Sequence, residues 1–177
     1  DGGTHEDVES ACAYAHAMVE AGAAIIDVGG ESTRPGADPV TVEEELTRVL
    51  AVVQRLAADG ICVSIDTRHS EVAAACLAAG ASIINDVSGF RDPAMVEVAA
   101  SSSCGVVVMH MAGEPKTMQE APEYVDVVAE VRDYLRHQAT MLEAAGVAHD
   151  RICVDPGPGF GKTPRQTLAL VRNFQEF

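Results

Sequence analysis

Ala79-Gly80-Ala81-Ser82-Ile83-Ile84-Asn85-Asp86-Val87 echoes an earlier stretch of the same chain, Ala21-Gly22-Ala23-Ala24-Ile25-Ile26-Asp27-Val28-Gly29. Each leaves a helix-like segment by glycine, enters a short β-branched run and ends on a side chain able to hydrogen-bond. A repeated α–β unit of this kind is what a barrel or a doubly wound sheet produces. Working outward, runs of the same character are Cys62-Val63-Ser64-Ile65-Asp66, Val106-Val107-Val108-Met109-His110 and Ile152-Cys153-Val154-Asp155, which gives five strands in all. Their near-continuous hydrophobicity predicts burial on both faces, the habit of parallel strands covered by helices.

Helix signals fill the gaps. Thr41-x-x-Glu44 reads as a capping box opening a helix to about residue 58, with Leu46, Val49, Leu50, Val53 and Leu56 at helical spacing. Residues 5–20, 70–79, 93–100 and 121–145 read the same way, and Gly22, Gly80 and Gly146 fall where helix-ending glycines belong. Thr163 followed by Pro164 has the form of an N-cap with proline at the first helical position. No low-complexity segment or second compositional regime appears, so a single domain over 1–177 is expected.

Polar residues choose between the two architectures. Asp66, Asn85, His110 and Asp155 each stand at the carboxyl end of a different strand. A barrel gathers all such ends around one mouth, whereas an open sheet concentrates them near one switch point. The expected fold class is therefore α/β, a TIM-type (β/α)8 barrel with about five of its eight βα units in this chain.

Composition narrows the chemistry. The 177 residues can bury a core without disulfide or metal staples, and no run of eighteen apolar residues exists to span a bilayer. The opening Asp1-Gly2-Gly3-Thr4-His5 lacks the basic and apolar regions of a signal peptide, so a cytoplasmic location is expected. A formal net charge of −15 repels nucleic acid and anionic membranes, and an anionic substrate needs a local binding device. Trp is absent and aromatics reach only 4%, which argues against a stacking platform for single strands. The five cysteines (Cys12, Cys62, Cys76, Cys104, Cys153) form no CxxC pair and read as reduced core residues.

Three constellations carry chemistry. Glu31-Ser32-Thr33-Arg34-Pro35-Gly36 is either a polar turn or, through Thr33 and Arg34, a source of donors for an anion. In Asp155-Pro156-Gly157-Pro158-Gly159-Phe160-Gly161-Lys162-Thr163 a phosphate-loop reading fails, because Pro156 stands where the first glycine belongs and both prolines remove amides. A dinucleotide fingerprint beginning at Gly157 fails as well, since Lys162 occupies its third glycine. A stiff loop that lets a flat ligand approach the backbone fits better, with Phe160 as a wall. Asp66, Asn85, Asp86 and Asp155 suit either metal ligation or a grip on a heterocycle rich in N–H groups, set against salt bridges and caps, the bland reading weighing most on Asp86. Asp27 reads as structural, and His110 as a satisfied core histidine rather than a base.

In order and spacing, Glu31 to Gly36, Ser64-Ile65-Asp66-Thr67, Asn85-Asp86-Val87-Ser88-Gly89, Met109-His110-Met111 with Pro115-Lys116-Thr117-Met118-Gln119, and Asp155 to Lys162 resemble the signature blocks of dihydropteroate synthases. The resemblance covers essentially the whole chain, and the first block also separates it from sulfonamide-insensitive relatives. It implies a transferase of folate biosynthesis that condenses 6-hydroxymethyl-7,8-dihydropterin diphosphate with p-aminobenzoate, releasing diphosphate with the help of Mg2+, and a homodimer. By match to the blocks, Asp66, Asn85 and Asp155 bond the pterin, and Val87 and Met109 line its slot. Thr33 and Arg34 face diphosphate and aminobenzoate, while Pro35 and Phe160 wall the aminobenzoate pocket. Asp66, Arg34 and Thr33 are the residues expected to carry catalysis, no residue is expected to ligate metal on its own, and the role of Lys162 stays open.

The resemblance departs at the ends. Asp1-Gly2-Gly3 looks like the tail of the family block Asn-Val-Thr-Pro-Asp-Ser-Phe-Ser-Asp-Gly-Gly, and the family's Ser-Arg-Lys and Arg-x-His blocks would follow Phe177. The 177 residues are thus expected to be a partial pterin-binding barrel domain that does not turn over alone, since five strands cannot close the ring. Two other readings compete: a pterin-dependent methyltransferase, which has no need of the Thr33-Arg34 loop, and a non-catalytic pterin-binding module.

Overall fold

A computed structural model describes residues 7–33, 37–113 and 123–177. Strands and helices alternate: α1 (Val8–Glu20), β1 (Ile26–Gly29), α2 (Val42–Ala58), β2 (Val63–Asp66), α3 (Ser70–Ala78), β3 (Ile83–Asp86), α4 (Pro93–Ala100), β4 (Gly105–Met109), α5 (Val127–Ala144), β5 (Ile152–Asp155) and α6 (Pro164–Arg172). Helix starts follow from local chemistry. Asp7 accepts from the Ser10 amide at 2.8 Å and Asp126 from the amides of Val128 and Ala129, so α1 and α5 begin at Val8 and Val127; the expected starts at residues 5 and 121 lie outside the described residues. Thr41 caps Glu44 N–H at 3.2 Å, but the Glu44 carboxylate turns to Arg48, whereas α6 carries the reciprocal box between Thr163 and Gln166. Gly22, Gly80 and Gly146 follow α1, α3 and α5 at φ +106°, +109° and +105°, conformations that a Cβ would strain.

The strands form one parallel sheet in the order β1-β2-β3-β4-β5, each element of the chain paired with the next. A doubly wound sheet reverses its order at a switch point; this one does not, which is the topology of a barrel wall. In register, Ile26 faces Val63, Ile65 faces Ile84, Ile84 faces Val106 and Asp86 faces Val108. Pleating sends directly paired residues to the same side. One face carries Ile26, Val63, Ile65, Ile84, Val106 and Val108, none more than 3% exposed, packed with Val53 and Leu56 of α2, Val72 and Cys76 of α3, Met95 and Ala99 of α4, Val131 and Leu135 of α5 and Leu170 of α6. Each large side chain buried in this layer contributes about 1.5–3 kcal/mol.

The other face is the inside of the wall, and it corrects two expectations. Burial on both faces does not hold, since Asp27 and Cys153 on the inner face are exposed. Nor are all cysteines core residues: Cys12, Cys76 and Cys104 are buried, Cys62 is half-buried and Cys153 is exposed, because alternation turns it away from the helices on an edge strand.

Candidate active site

The inner face ends in a row of polar groups. Gly29, Asp66 and Asn85 are register partners across β1, β2 and β3, and Met109 partners Asp155 across β4 and β5. Adjacent strands lie about 4.8 Å apart, so the row presents its groups at a spacing a fused heterocycle can bridge. Gly29 is small for a reason: a Cβ there would come within 3.3 Å of Asp66 Oδ2. Asn85 donates its Nδ2 to Asp27 Oδ2 at 3.3 Å, which brings Asp27 into the row and leaves the Asn85 carbonyl for other work.

Asp66 is the electrostatic centre. Burial first, then the charges of Asp27, Glu45, Asp86 and Glu31, push its carboxyl up to about 7. Its Oδ1 is buried without a hydrogen-bond partner among the described residues. A carboxyl poised this way serves as donor or acceptor near neutral pH and gains most when a ligand supplies the missing partner. Behind it, fully buried Glu45 of α2 reaches His69 Nδ1 at 2.6 Å, and Gly30 makes room, since a Cβ there would sit 2.9 Å from Glu45 Cγ.

Asp86 differs in kind. It points to the helix side of the sheet, fully buried, and each oxygen accepts one amide of the following turn, Ser88 N–H and Phe90 N–H, both at 2.8 Å. That turn holds Phe90 at φ 57°, a left-handed conformation costly for a bulky side chain. Burial raises the Asp86 carboxyl, against hydrogen bonds from Ser88 and Phe90 and the charge of Arg91. Of the sequence readings for Asp86, the structural one fits.

The loop after β5 forms the opposite wall. Asp155 Oδ1 accepts from Gly157 N–H at 2.8 Å. Gly157, at φ +61°, lies so close to the β4 end that a Cβ would meet His110 O at 2.2 Å, and one on Gly161 would meet Ala112 at 2.8 Å. The loop therefore sits flat on the β4 exit, and Phe160 packs on Val87, Met109 and Met111, an apolar cluster beside the polar row. His110 is buried rather than facing the mouth, with its ring edge-on to Tyr134 at 4.9 Å. Burial, then the charge of Lys162, lowers its pKa to about 4.

The third group is seen in part. Thr33 is half-buried, while Arg34 and Pro35 lie outside the described residues. Glu31 accepts from Arg68 Nε at 2.7 Å, from a second Arg68 nitrogen at 3.3 Å and from Val40 N–H at 3.2 Å, tying the start of this loop to its exit and to the loop after β2. The Glu31–Arg68 pair, the Glu45–His69 pair and the Lys162 contacts were not anticipated from sequence; only the charged residues flanking Asp66 and the lysine closing the glycine-rich loop hinted at them.

The whole chain, residues 1–177, matches the family model for pterin binding enzymes. It is 48% identical to the dihydropteroate synthase of Escherichia coli (strain K12) across all of this chain and 63% of that protein, and 48% identical to the Mycobacterium leprae synthase over 99% of the chain and 63% of the relative. The chain thus spans just under two thirds of the length of these relatives. Among solved structures it superposes on the Burkholderia cenocepacia dihydropteroate synthase complexed with 7,8-dihydropteroate (TM-score 0.90, 47% identity, 96% of this chain and 61% of that one). The Yersinia pestis enzyme with a sulfonamide drug complex matches at TM-score 0.96 and 40% identity, over 99% of this chain and 64% of that one. The five parallel strands are units of the (β/α)8 wall that these enzymes share, and the chain belongs to the pterin binding enzyme family.

Proposed function

We propose that this chain carries the pterin-gripping wall of a dihydropteroate synthase, a transferase joining 6-hydroxymethyl-7,8-dihydropterin diphosphate to p-aminobenzoate with release of diphosphate. The observation that carries the reading is the inner-face row of Asp66, Asn85 and Asp155 beside the apolar cluster of Val87, Met109 and Phe160. A pterin presents alternating ring donors and acceptors along one edge and flat apolar faces. In this reading Asp66 takes a ring N–H with its carboxyl, Asn85 offers its carbonyl, Asp155 accepts from the far side, and Val87 and Met109 flank the ring. Phe160 with Pro35 walls the aminobenzoate pocket, and Thr33 and Arg34 meet diphosphate and aminobenzoate.

No strong base is needed, because an aniline nitrogen is already nucleophilic and the barrier is departure of diphosphate. As the C–O bond breaks, the pterin methylene gains cationic character, which the carboxylates of Asp66 and Asp155 favour. The nitrogen then forms the new C–N bond and gives up its proton. Arg34 and Thr33 stabilise the leaving anion, an electrostatic contribution of about 3 kcal/mol for a well-aimed donor. Mg2+ would enter with the diphosphate, since it takes phosphate oxygens and one or two carboxylates. Among the described residues there is no group of three His, Cys, Asp or Glu able to hold a metal.

The reading carries with it a small-molecule enzyme of the cytoplasm acting as a homodimer, with residues 1–177 as part of one barrel domain. Among the described residues no helix is long and apolar enough to cross a membrane. Calorimetry tests it: pterin diphosphate is titrated first, then p-aminobenzoate. Aminobenzoate binding only after pterin diphosphate (or pterin plus diphosphate) marks a synthase. Pterin binding without it marks a methyltransferase or a binding module, and absence of pterin binding removes the reading altogether.

A further inference from the structure

Lys162 is 3% exposed, and its Nζ donates to three carbonyls, His110 O at 3.0 Å, Gly157 O at 2.9 Å and Phe160 O at 2.9 Å, with His110 Nδ1 as a fourth contact, also 3.0 Å from Nζ. An ammonium has three N–H groups to share among these four contacts, one more than a neutral amine. The acceptors come from two segments, the exit of β4 and the loop after β5. Pro156 and Pro158 deprive that loop of two amides, and Gly157 N–H is committed to Asp155 Oδ1; Gly157 O accepts from Phe160 N–H at 3.1 Å as well as from the lysine, which binds the turn from both sides.

We propose that Lys162 is the positioning residue of the ring site. Its ammonium holds Gly157, whose amide orients the Asp155 carboxylate, and holds Phe160, whose ring closes on Val87 and Met109. The inference rests on the pterin reading above and extends it to a residue that never touches the ligand. A burial-lowered pKa of about 8, opposed by the charge of Asp155, gives the device a pH signature. The groups facing it are His110 from the β4 exit, Asp155 from β5 and, around His110, Tyr124, Tyr134 and Arg91. His110 titrates near 4 and burial raises Tyr124 above its usual 10, so neither changes charge between pH 7 and 9.

The test measures 6-hydroxymethylpterin affinity in the intact protein for the parent, Lys162→Met and, as a control on the site itself, Asp155→Ala. Lys162→Met is expected to bind about ten- to a hundredfold more weakly. Parent affinity should fall from pH 7 to pH 9 more steeply than that of Lys162→Met; the ligand's own titration is common to both. If Asp155→Ala loses the pterin while folded Lys162→Met binds within twofold of the parent, or if the two pH profiles run parallel, the inference is overturned. If Asp155→Ala binds as the parent does, the pterin reading fails, and this inference with it. Should Lys162→Met not fold, amide exchange of residues 157–161 in the unliganded parent decides. Protection lost between pH 7 and 9, after correction for intrinsic exchange, supports the clasp, and constant protection overturns it.

Discussion

The ends of β2 and β3 lie side by side, each closes on an aspartate, and burial raises the carboxyl of both. Their hydrogen bonding separates them. Asp86 has both oxygens on backbone amides of a turn and Arg91 near by, whereas Asp66 has an oxygen with no partner among the described residues and acidic neighbours in Asp27, Glu45, Asp86 and Glu31. A buried carboxylate already satisfied by its own backbone is part of the scaffold. One left unsatisfied, with like charges around it, is held in a state that only a ligand or a proton relieves, which makes it a candidate for function.

The most severe way to break the contrast is Asp86→Ala. It strands the amides of Ser88 and Phe90 in a buried turn and releases Phe90 from its left-handed conformation, a loss of about 3–5 kcal/mol when two unsatisfied donors are counted. Urea unfolding should show this loss. A variant as stable as the parent would mean that the turn holds itself.

Asp66→Asn should act in the opposite direction. The folded-state carboxyl titrates near 7 against 3.8 for an unperturbed aspartate, so the native state binds more protons between those limits and stability falls as pH rises through that window. The asparagine variant escapes the penalty: it should match the parent below pH 4 and exceed it above pH 7 by up to about 4 kcal/mol. A parent whose stability is flat from pH 4 to 7 would remove Asp66 from its special position.

Asp155→Ala should leave the fold intact and cost about 1.5–3 kcal/mol of pterin affinity, roughly ten- to over a hundredfold, as loss of a charge-assisted bond does. Asp155 is half-buried at the mouth, with Gly157 N–H on one oxygen, so unlike Asp86 it has acceptor capacity to spare. Pterin titration of the folded variant measures it, and an unchanged affinity would sink the assignment.

How much of this was legible in the sequence follows from the range of each interaction. Strands, helix-ending glycines and the Thr163-Pro164 cap are local, and they stand where the residues indicate. The row of Asp66, Asn85 and Asp155 was legible because parallel strands deliver their carboxyl ends to one side. The sequence already inclined Asp86 toward a structural role and Asp66 toward the ligand, and register supplies the reason: one step along a strand reverses the face, so Asp86 turns to the helices while Asp66 faces the inside. The same alternation exposed Cys153. Glu45, in a run of three glutamates, reads as surface until α2 is rotated against the sheet and His69, 24 residues on, becomes its partner. Lys162 and His110 lie 52 residues apart, and no local pattern joins them.

The finest test concerns the charges around Asp66. After burial, Asp27 is the largest influence raising that carboxyl, ahead of Glu45, Asp86 and Glu31. Asp27→Asn removes the charge and keeps an amide oxygen able to accept from Asn85 Nδ2, now held at 3.3 Å, so the row should survive with its electrostatics altered. The Asp66 titration, followed through its carboxyl carbon resonance, should then fall below about 7, and the window over which the protein loses stability should narrow from its upper side. Asp86 provides the internal control. The influences on it are burial, Ser88, Phe90 and Arg91 rather than Asp27, so its resonance should titrate as before. An Asp66 titration that ignores Asp27 would leave its shift to burial and to Glu45, Asp86 and Glu31. Asp27 would then return to the structural role that its sequence position suggested.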